Sequence, residues 1–262
     1  ALDYSYPAHT RSPLGPGAHI NMTGNTIRAD PTDYSFSLSH AGGRLTIDDT
    51  NVFTSKVDIR YAANATGDLI HLRNCPDLYS VHVSADYSKV IGISDSSITV
   101  EDSRIASRLS ISFRSDVVDT PITFRNLHHG NGSSFYITTT GGFIDGGNVT
   151  FDNVTSRATW HNFNYDSKNG AHTNIHDSHF ENYAQFTGKH EGSGFRIERS
   201  QFDGYVQFSG SGAADELGCF SNGAVFVADG SRFNERLQFS NCPMADARVK
   251  IANSMIDSGV VI

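Results

Sequence analysis

Apolar residues recur two positions apart in ten short segments along the chain. The third residue of each segment is apolar in all ten copies and the first in nine, Thr173 being the exception. Because successive side chains of a β-strand point to opposite faces, the pattern predicts ten strands with one buried face each. The segments begin at Ile20, Leu45, Ile70, Ile98, Ile122, Val149, Thr173, Phe195, Val225 and Val249.

A second apolar pair follows about eleven to thirteen residues after most of these starts, as in Val81/Val83 and Val206/Phe208. Residues 160–165 fit the second pair only with a slip of register. The starts are 22 to 30 residues apart, with turn-forming Gly, Asn, Asp and Ser between the strands. Such a period, without helical periodicity, predicts an all-β fold: a single right-handed parallel β-helix solenoid of about ten coils over residues 19–262.

A polar column accompanies the predicted strands, four residues after most starts. By strict alternation its side chains point inward, and we interpret it as a structural ladder that satisfies backbone groups at a bend. Its members are Asp49, Asn74, Asp102, Asn126, Asn153, Asp177, Asp229 and Asn253.

The coil period and this asparagine-type ladder resemble those of the pectin-lyase-like β-helix superfamily. The resemblance covers about residues 19–262 and implies an architecture shared by polysaccharide lyases, glycoside hydrolases, phage tailspikes and surface adhesins. It specifies no chemistry, because the paired aspartates of polygalacturonases and the Asp-Pro-His-Asp motif of alginate epimerases are missing here. No catalytic residue is therefore carried over.

The two ends of the chain differ in character. Residues 1–18 contain Pro7, Pro13 and Pro16, which predict an irregular N-terminal arm or cap. The last coil ends on the apolar strand that includes Val260 and Ile262. Since solenoids need capped ends, we expect a fragment of a larger protein, or contact of this end with another domain or subunit.

The cysteines are interpreted from their spacing. Cys219 and Cys242 are 23 residues apart, about one coil, so they are expected in neighbouring coils within disulfide reach. Cys75 occupies a place that Ser or Thr fills in other coils, which predicts a small packed side chain.

Charge and hydropathy exclude two classes of partner. The formal net charge of −8 comes from 20 basic and 28 acidic residues and argues against nucleic acid, which clustered Lys and Arg bind. No apolar run approaches the roughly 18 residues that a membrane span requires.

Outward residues of the first strands form a column of charges: Asp48, Arg73, Glu101, Arg125, Asp152, His176 and Glu198. One interpretation is a solvated ladder in which alternating signs fix the register. The other is a site with Arg125, Asp152, His176 and Glu198 as catalytic residues, flanked by His128 and His129 as binding residues.

Two chemistries are open for that site. Asp152 and Glu198 are two coils apart, about 9.6 Å at the backbone, near the separation in inverting glycosidases. Alternatively, Arg125 and His176 bind the carboxylate of an acidic sugar and abstract a proton in a lyase reaction.

The second strands carry another outward column, of Gln185, Gln207 and Gln238, with Tyr183 and Tyr205 beside it. Stacked amides can hydrogen-bond along the solenoid, or together with the tyrosines they can bind sugar hydroxyls and faces.

No metal site or cofactor is predicted. The chain has 12 histidines, but none shows the spacing of a zinc signature. The pattern favours a secreted or cell-surface module that binds carbohydrate or a host surface, like an adhesin. The alternative is a lyase or hydrolase acting on an acidic polysaccharide, and whether the protein is an enzyme stays open.

Overall fold

The computed structural model describes residues 8–9, 18–28, 36–40, 43–85, 90–132, 134–210 and 219–262. They form an all-β parallel solenoid, in which every strand pairing is parallel and joins neighbouring coils. None of these described residues is helical, so none forms a helix with the length and hydropathy to cross a membrane.

The strands stack in four columns, and the first and third columns hold most of them. The first column contains His19–Thr23, Arg44–Asp48, Leu69–Arg73, Ser97–Ile105, Ile122–His129, Val149–Asp152, His172–His176, Gly194–Glu198, Val225–Asp229 and Arg248–Ala252. The third contains Ala8–His9, Phe36–His40, Asn51–Tyr61, Leu78–Ala85, Leu109–Phe113, Phe135–Asp145, His161–Lys168, Ala184–Thr187, Val206–Ser209, Leu237–Ser240 and Val260–Val261.

The second and fourth columns consist of short strands and of the ends of longer ones. The second column adds Thr26–Arg28, Thr155–Ser156, His179–Phe180, Gln201–Phe202, Arg232–Phe233 and Met255–Ile256. The fourth adds Ala65–Thr66, Ile93–Ser94, Val117–Val118, His190–Glu191 and Phe220–Ser221.

The predicted fold class is confirmed, with a slightly smaller number of turns. The solenoid has about eight turns, whereas about ten coils were predicted. In the fourth column the named strands extend from Ala65–Thr66 to Phe220–Ser221, and an isolated parallel bridge continues from Phe220 to Met244. Of the predicted arm at residues 1–18, Ala8–His9 forms a strand that pairs with Phe36 and Ser37, and residues 1–7 and 10–17 lie outside the described part.

The interior is filled by inward side chains that stack from coil to coil. Phe163, Phe186, Phe208 and Phe239 form one aromatic ladder, with successive ring centroids 4.9, 4.9 and 5.3 Å apart. Thr173 is buried among these apolar side chains, and its hydroxyl lies 2.5 Å from that of Tyr165. This hydrogen bond explains how the single polar residue at a first segment position is accommodated.

The register of the ninth segment differs from the prediction by one residue. Phe195 pairs with Phe226 and Ile197 with Ala228, so Phe226 and Ala228 point inward. Val225 and Val227, predicted to face the core, lie on the outer face instead. A slip of one residue moves every side chain of a strand to the opposite face, and the larger Phe226 occupies the core position.

The structure also shows which residues of the segment 160–165 are inside. His161 and Phe163 pair with Ala184 and Phe186 and are buried, as is Tyr165. Trp160 lies outside, with 42% of its surface exposed.

The polar column points outward, so its predicted inward orientation was wrong. All of its predicted residues except Asp229 have a left-handed backbone, and strict alternation breaks there. In the ninth coil the register shift puts Gly230 at the bend, and Asp229 is the last residue of the strand Val225–Asp229. At the bend positions φ lies between 47° and 67°. The side chains are exposed and bond along the column; for example, the Asn153 amide donates to the Asn126 side-chain oxygen at 2.9 Å. The left-handed residues are Gly24, Asp49, Asn74, Asp102, Asn126, Asn153, Asp177, Arg199, Gly230 and Asn253.

The cost of the left-handed backbone at this bend can be measured at Asp49, whose φ is 47°. Replacing Asp49 by Ala is expected to lower the free energy of unfolding by about 1–2 kcal/mol, because a Cβ without a local hydrogen bond disfavours the left-handed conformation. Asp49→Gly removes the same carboxylate without that cost and serves as the matched control. Urea unfolding compares the two variants, and equal stabilities would contradict the explanation.

The side of the bend that faces the interior carries a ladder of hydroxyls. The Ser200 hydroxyl oxygen accepts a hydrogen bond from the Ser178 backbone N–H at 3.1 Å, and the hydroxyl donates to the Glu198 carbonyl at 2.8 Å. Cys75 takes the same place and is buried, and its thiol donates to the Arg73 carbonyl. Cys219 and Cys242 form a disulfide.

Candidate functional site

The charged column is aligned as its spacing predicts. Arg125 pairs in register with Asp152, Asp152 with His176, and His176 with Glu198, on consecutive strands of the first column. All four side chains are at least partly exposed. The outer face of the first column therefore presents the four predicted catalytic residues side by side.

These side chains are linked in two pairs, Arg125 with Asp152 and His176 with Glu198. The Arg125 guanidinium lies 3.4 Å from the Asp152 carboxylate and 3.6 Å from that of Glu101. His176 Nδ1 lies 3.2 Å from Glu198 Oε2. Exposed pairs of this kind stabilise a fold by at most about 1 kcal/mol each. The column is therefore compatible both with a role in fixing the strand register and with a chemical role.

His129, predicted to flank that site as a binding residue, is not available to a ligand. It ends the strand Ile122–His129, lies fully inside, and its Nδ1 is 3.2 Å from the Ser156 hydroxyl. Burial lowers the pKa of His129 to about 4. His128, its neighbour in the strand, is partly exposed on the second column, so alternation separates the two histidines.

A second candidate face lies on the outside of the third column. Gln185, Gln207 and Gln238 pair in register on successive strands, with Tyr183 and Tyr205 two residues before the first two glutamines. The two tyrosine rings stack at 5.3 Å. Each tyrosine hydroxyl donates to the amide oxygen of the next coil, Tyr183 to Gln207 and Tyr205 to Gln238. This network fixes the orientation of the rings and amides.

Trp160 extends this surface by one coil and was not recognised from the sequence as a site residue. Its indole ring packs edge-on against Tyr136 at 6.5 Å, and the guanidinium of Arg108 lies over the Tyr136 ring at 5.1 Å. Trp160 takes the place that Tyr183 takes in the next coil. We refer to Tyr136, Trp160, Tyr183, Gln185, Tyr205, Gln207 and Gln238 as the aromatic-amide face.

A depression interrupts the outer face of the first column beside His176 and Glu198. Its volume is about 390 Å³. Sequence reasoning missed it, because the predicted register of the ninth segment buried the two valines that form its apolar wall. The lining residues are Asn148, His172, Asn174, His176, Phe195, Arg196, Glu198, Val225 and Val227.

The histidines of this region do not form a metal site. Among the described residues, no group of three or more His, Cys, Asp or Glu side chains converges as metal ligands would. The side chains offer hydrogen bonds and ion pairs instead.

Comparison of the chain with protein-family models, with curated proteins and with solved structures found no match. The geometry of the two faces is therefore the basis on which we infer the function.

Proposed function

We propose that this protein is a carbohydrate-binding module whose aromatic-amide face binds a neutral stretch of a glycan chain. The single observation that supports the proposal is this partly exposed strip of aromatic rings and amides, which continues from coil to coil. Aromatic rings pack on the C–H faces of sugars, and amides exchange hydrogen bonds with sugar hydroxyls. Repetition at each strand spacing of about 4.8 Å suits an extended polymer better than a compact ligand.

The hydrogen bonds within this face support the same function. Since each tyrosine hydroxyl donates to a glutamine amide oxygen, the amide N–H groups of Gln207 and Gln238 are held in a fixed orientation. Ordering these side chains before binding lowers the entropic cost of association. A polar face that is already ordered suits recognition of hydroxyl groups.

Trp160 provides the test. Replacing Trp160 by Ala is expected to weaken binding of a neutral polysaccharide about tenfold, because loss of an aromatic contact of about 1.4 kcal/mol changes the dissociation constant by that factor. Affinity electrophoresis through gels that contain xyloglucan, mannan or galactan measures the retardation. Trp160 is exposed, so the variant is expected to fold.

The control is Tyr79→Ala, which removes an exposed aromatic side chain from a different coil. Tyr79→Ala is expected to migrate like the wild type in every gel. The proposal is rejected if none of these neutral polysaccharides retards the wild-type protein, or if both aromatic variants lose retardation equally.

The proposed setting is a secreted or cell-surface protein that contacts a polysaccharide or glycan surface. The Cys219–Cys242 disulfide supports this setting, because disulfides persist in oxidising compartments. At the end of the described solenoid, Val249, Ile251, Met255 and Val260 are exposed.

A second candidate function is cleavage of an acidic polysaccharide. It is favoured by Asp152 and Glu198, which lie on one face two strand spacings apart, about 9.6 Å at the backbone. Inverting glycosidases keep their carboxyl groups about 6.5–9.5 Å apart to admit a water molecule.

The cleavage candidate predicts that Asp152→Asn and Glu198→Gln each lower the rate at least about a hundredfold, because each removes an acid or base. Reducing ends and the absorbance of unsaturated sugars distinguish hydrolase from lyase products. Asp48→Asn removes a carboxylate from the same column, four coils before Asp152, and is expected to leave the rate unchanged. Wild-type protein that produces neither signal on a panel of acidic polysaccharides excludes this function.

A further inference from the structure

The depression on the first column lies beside a glycine. Gly194 pairs with His172 on one side and Val225 on the other, and these flanking residues have side chains on the outer face. A Cβ at Gly194 would lie 1.9 Å from the Val225 carbonyl oxygen, so the close approach of the two strands excludes any larger residue. Gly194 therefore places no side chain between those of His172 and Val225, which both line the depression.

The charges around the recess are nearly balanced. Arg196 contributes a permanent positive charge, and 58% of its side chain is exposed. The Glu198 carboxylate lies 3.5 Å from the guanidinium and also contacts His176. Partial burial and the charge of Arg196 lower the pKa of His172. The permanent charges of the lining, on Arg196 and Glu198, sum to zero, which suits a ligand with one negative charge better than a dianion.

The remaining lining residues combine an apolar wall with amides. Val225 and Val227 present partly exposed apolar side chains from the next strand. Asn148 is anchored at the rim, because its side-chain oxygen accepts a hydrogen bond from the His172 backbone N–H at 2.9 Å. Asn174 adds a second amide. An apolar wall beside a few polar groups is typical of small-molecule sites, and about 390 Å³ falls in their usual range of roughly 300–1,000 Å³.

We propose that this depression is a binding site for a hydroxylated monocarboxylate, such as one acidic sugar unit. Arg196 binds the carboxylate with its planar guanidinium. The amides of Asn148 and Asn174 hydrogen-bond the hydroxyl groups, and Val225 and Val227 contact the C–H face of the ligand. The site lies on a different column from the aromatic-amide face, and its existence does not depend on the function proposed for that face.

Galacturonate is the probe, with two matched neutral compounds: galactose and the methyl ester of galacturonate. Titrations followed by ¹H–¹⁵N NMR report affinity and location together. Galacturonate is expected to shift the signals of Gly194 and Val225, whereas both neutral compounds bind at least tenfold more weakly, because they lack the charge that Arg196 pairs with.

Arg196→Gln is expected to weaken galacturonate binding at least tenfold and Arg196→Lys less, since a lysine keeps the charge but loses the planar pair of donors. Arg73→Gln makes the same charge change on the same face outside the depression and is the control. Equal binding of galacturonate and its methyl ester overturns the proposal, as does equal loss in Arg196→Gln and Arg73→Gln. Tighter binding of inorganic phosphate than of galacturonate also overturns it.

Discussion

Acidification from pH 7.5 to pH 4.5 is expected to destabilise this protein by several kcal/mol, because three histidines are buried in the core. Burial lowers the pKa of His129 to about 4 and the pKa values of His161 and His190 to about 3. In the unfolded chain, histidine has a pKa of about 6.5. At pH values between 6.5 and the folded pKa values, the unfolded state therefore binds more protons than the folded state.

The sign and the pH window follow from that difference. The stabilising contribution is complete above about pH 6.5 and decreases as the pH falls towards 4, by up to about 1.4 kcal/mol per pH unit for each histidine. At pH 4.5 the sum approaches about 8 kcal/mol, comparable with the total stability of a typical domain. Asp58, whose folded pKa is lowered by its contacts with His82 and nearby cations despite burial, loses its contribution only below about pH 4.

Urea unfolding at pH 7.5, 6.5, 5.5 and 5.0 measures the dependence. His190→Gln is expected to reduce its slope by about a third, whatever the variant's stability at pH 7.5. His19→Gln changes an exposed histidine and is expected to preserve the slope. A free energy of unfolding that stays constant from pH 7 to pH 5 contradicts the prediction, and so does an unchanged slope in His190→Gln.

The burial of these histidines was not predictable from hydropathy, because histidine is found both inside and outside folded proteins. Each of the three has a local partner in the structure. Ser156 contacts both His129 and His161, and the Ser167 hydroxyl lies 2.7 Å from His190 Nδ1. For His129 and His190, a serine at an inward position of the neighbouring coil is the signal that the sequence offered, whereas the serine beside His161 belongs to the same coil.

The first column was largely predictable, because its strands alternate strictly and the fourth residue of each segment has to face outward. That rule aligned Arg125 with Asp152 and His176 with Glu198. It failed at the next residue, where a left-handed backbone turns the polar column outward. The rule failed again at residues 225–228, because in Val-Phe-Val-Ala both sets of alternating positions are apolar. Gly230, four residues after Phe226, was the better indicator of register, because glycine readily adopts the left-handed bend.

The candidate sites were also only partly predictable from the sequence. The aromatic-amide face followed from a repeated Tyr-x-Gln-Phe pattern, but Trp160 was missed because its segment lacks the repeat. The depression lies beside Gly194, where two strands approach closely, and its apolar wall depends on the orientation of Val225, which required the true register of the ninth segment. Close approach of two backbones is a property of the assembled coils, which no single segment of sequence specifies.

Removing the Cys219–Cys242 disulfide is expected to lower the free energy of unfolding by about 3 kcal/mol. The cysteines are 23 residues apart, and cross-linking a loop of that length restricts the unfolded chain by roughly this amount. The measurement is urea unfolding of the double variant Cys219→Ser/Cys242→Ser.

Cys75→Ser is the control, because serine fills the equivalent place in other coils. The Cys75 thiol already donates to the Arg73 carbonyl, as the Ser103 hydroxyl does to the Glu101 carbonyl. The control should therefore lose less than about 1.5 kcal/mol. Equal losses in the two proteins would mean that core packing at the cysteines, and not the cross-link, stabilises this end of the solenoid.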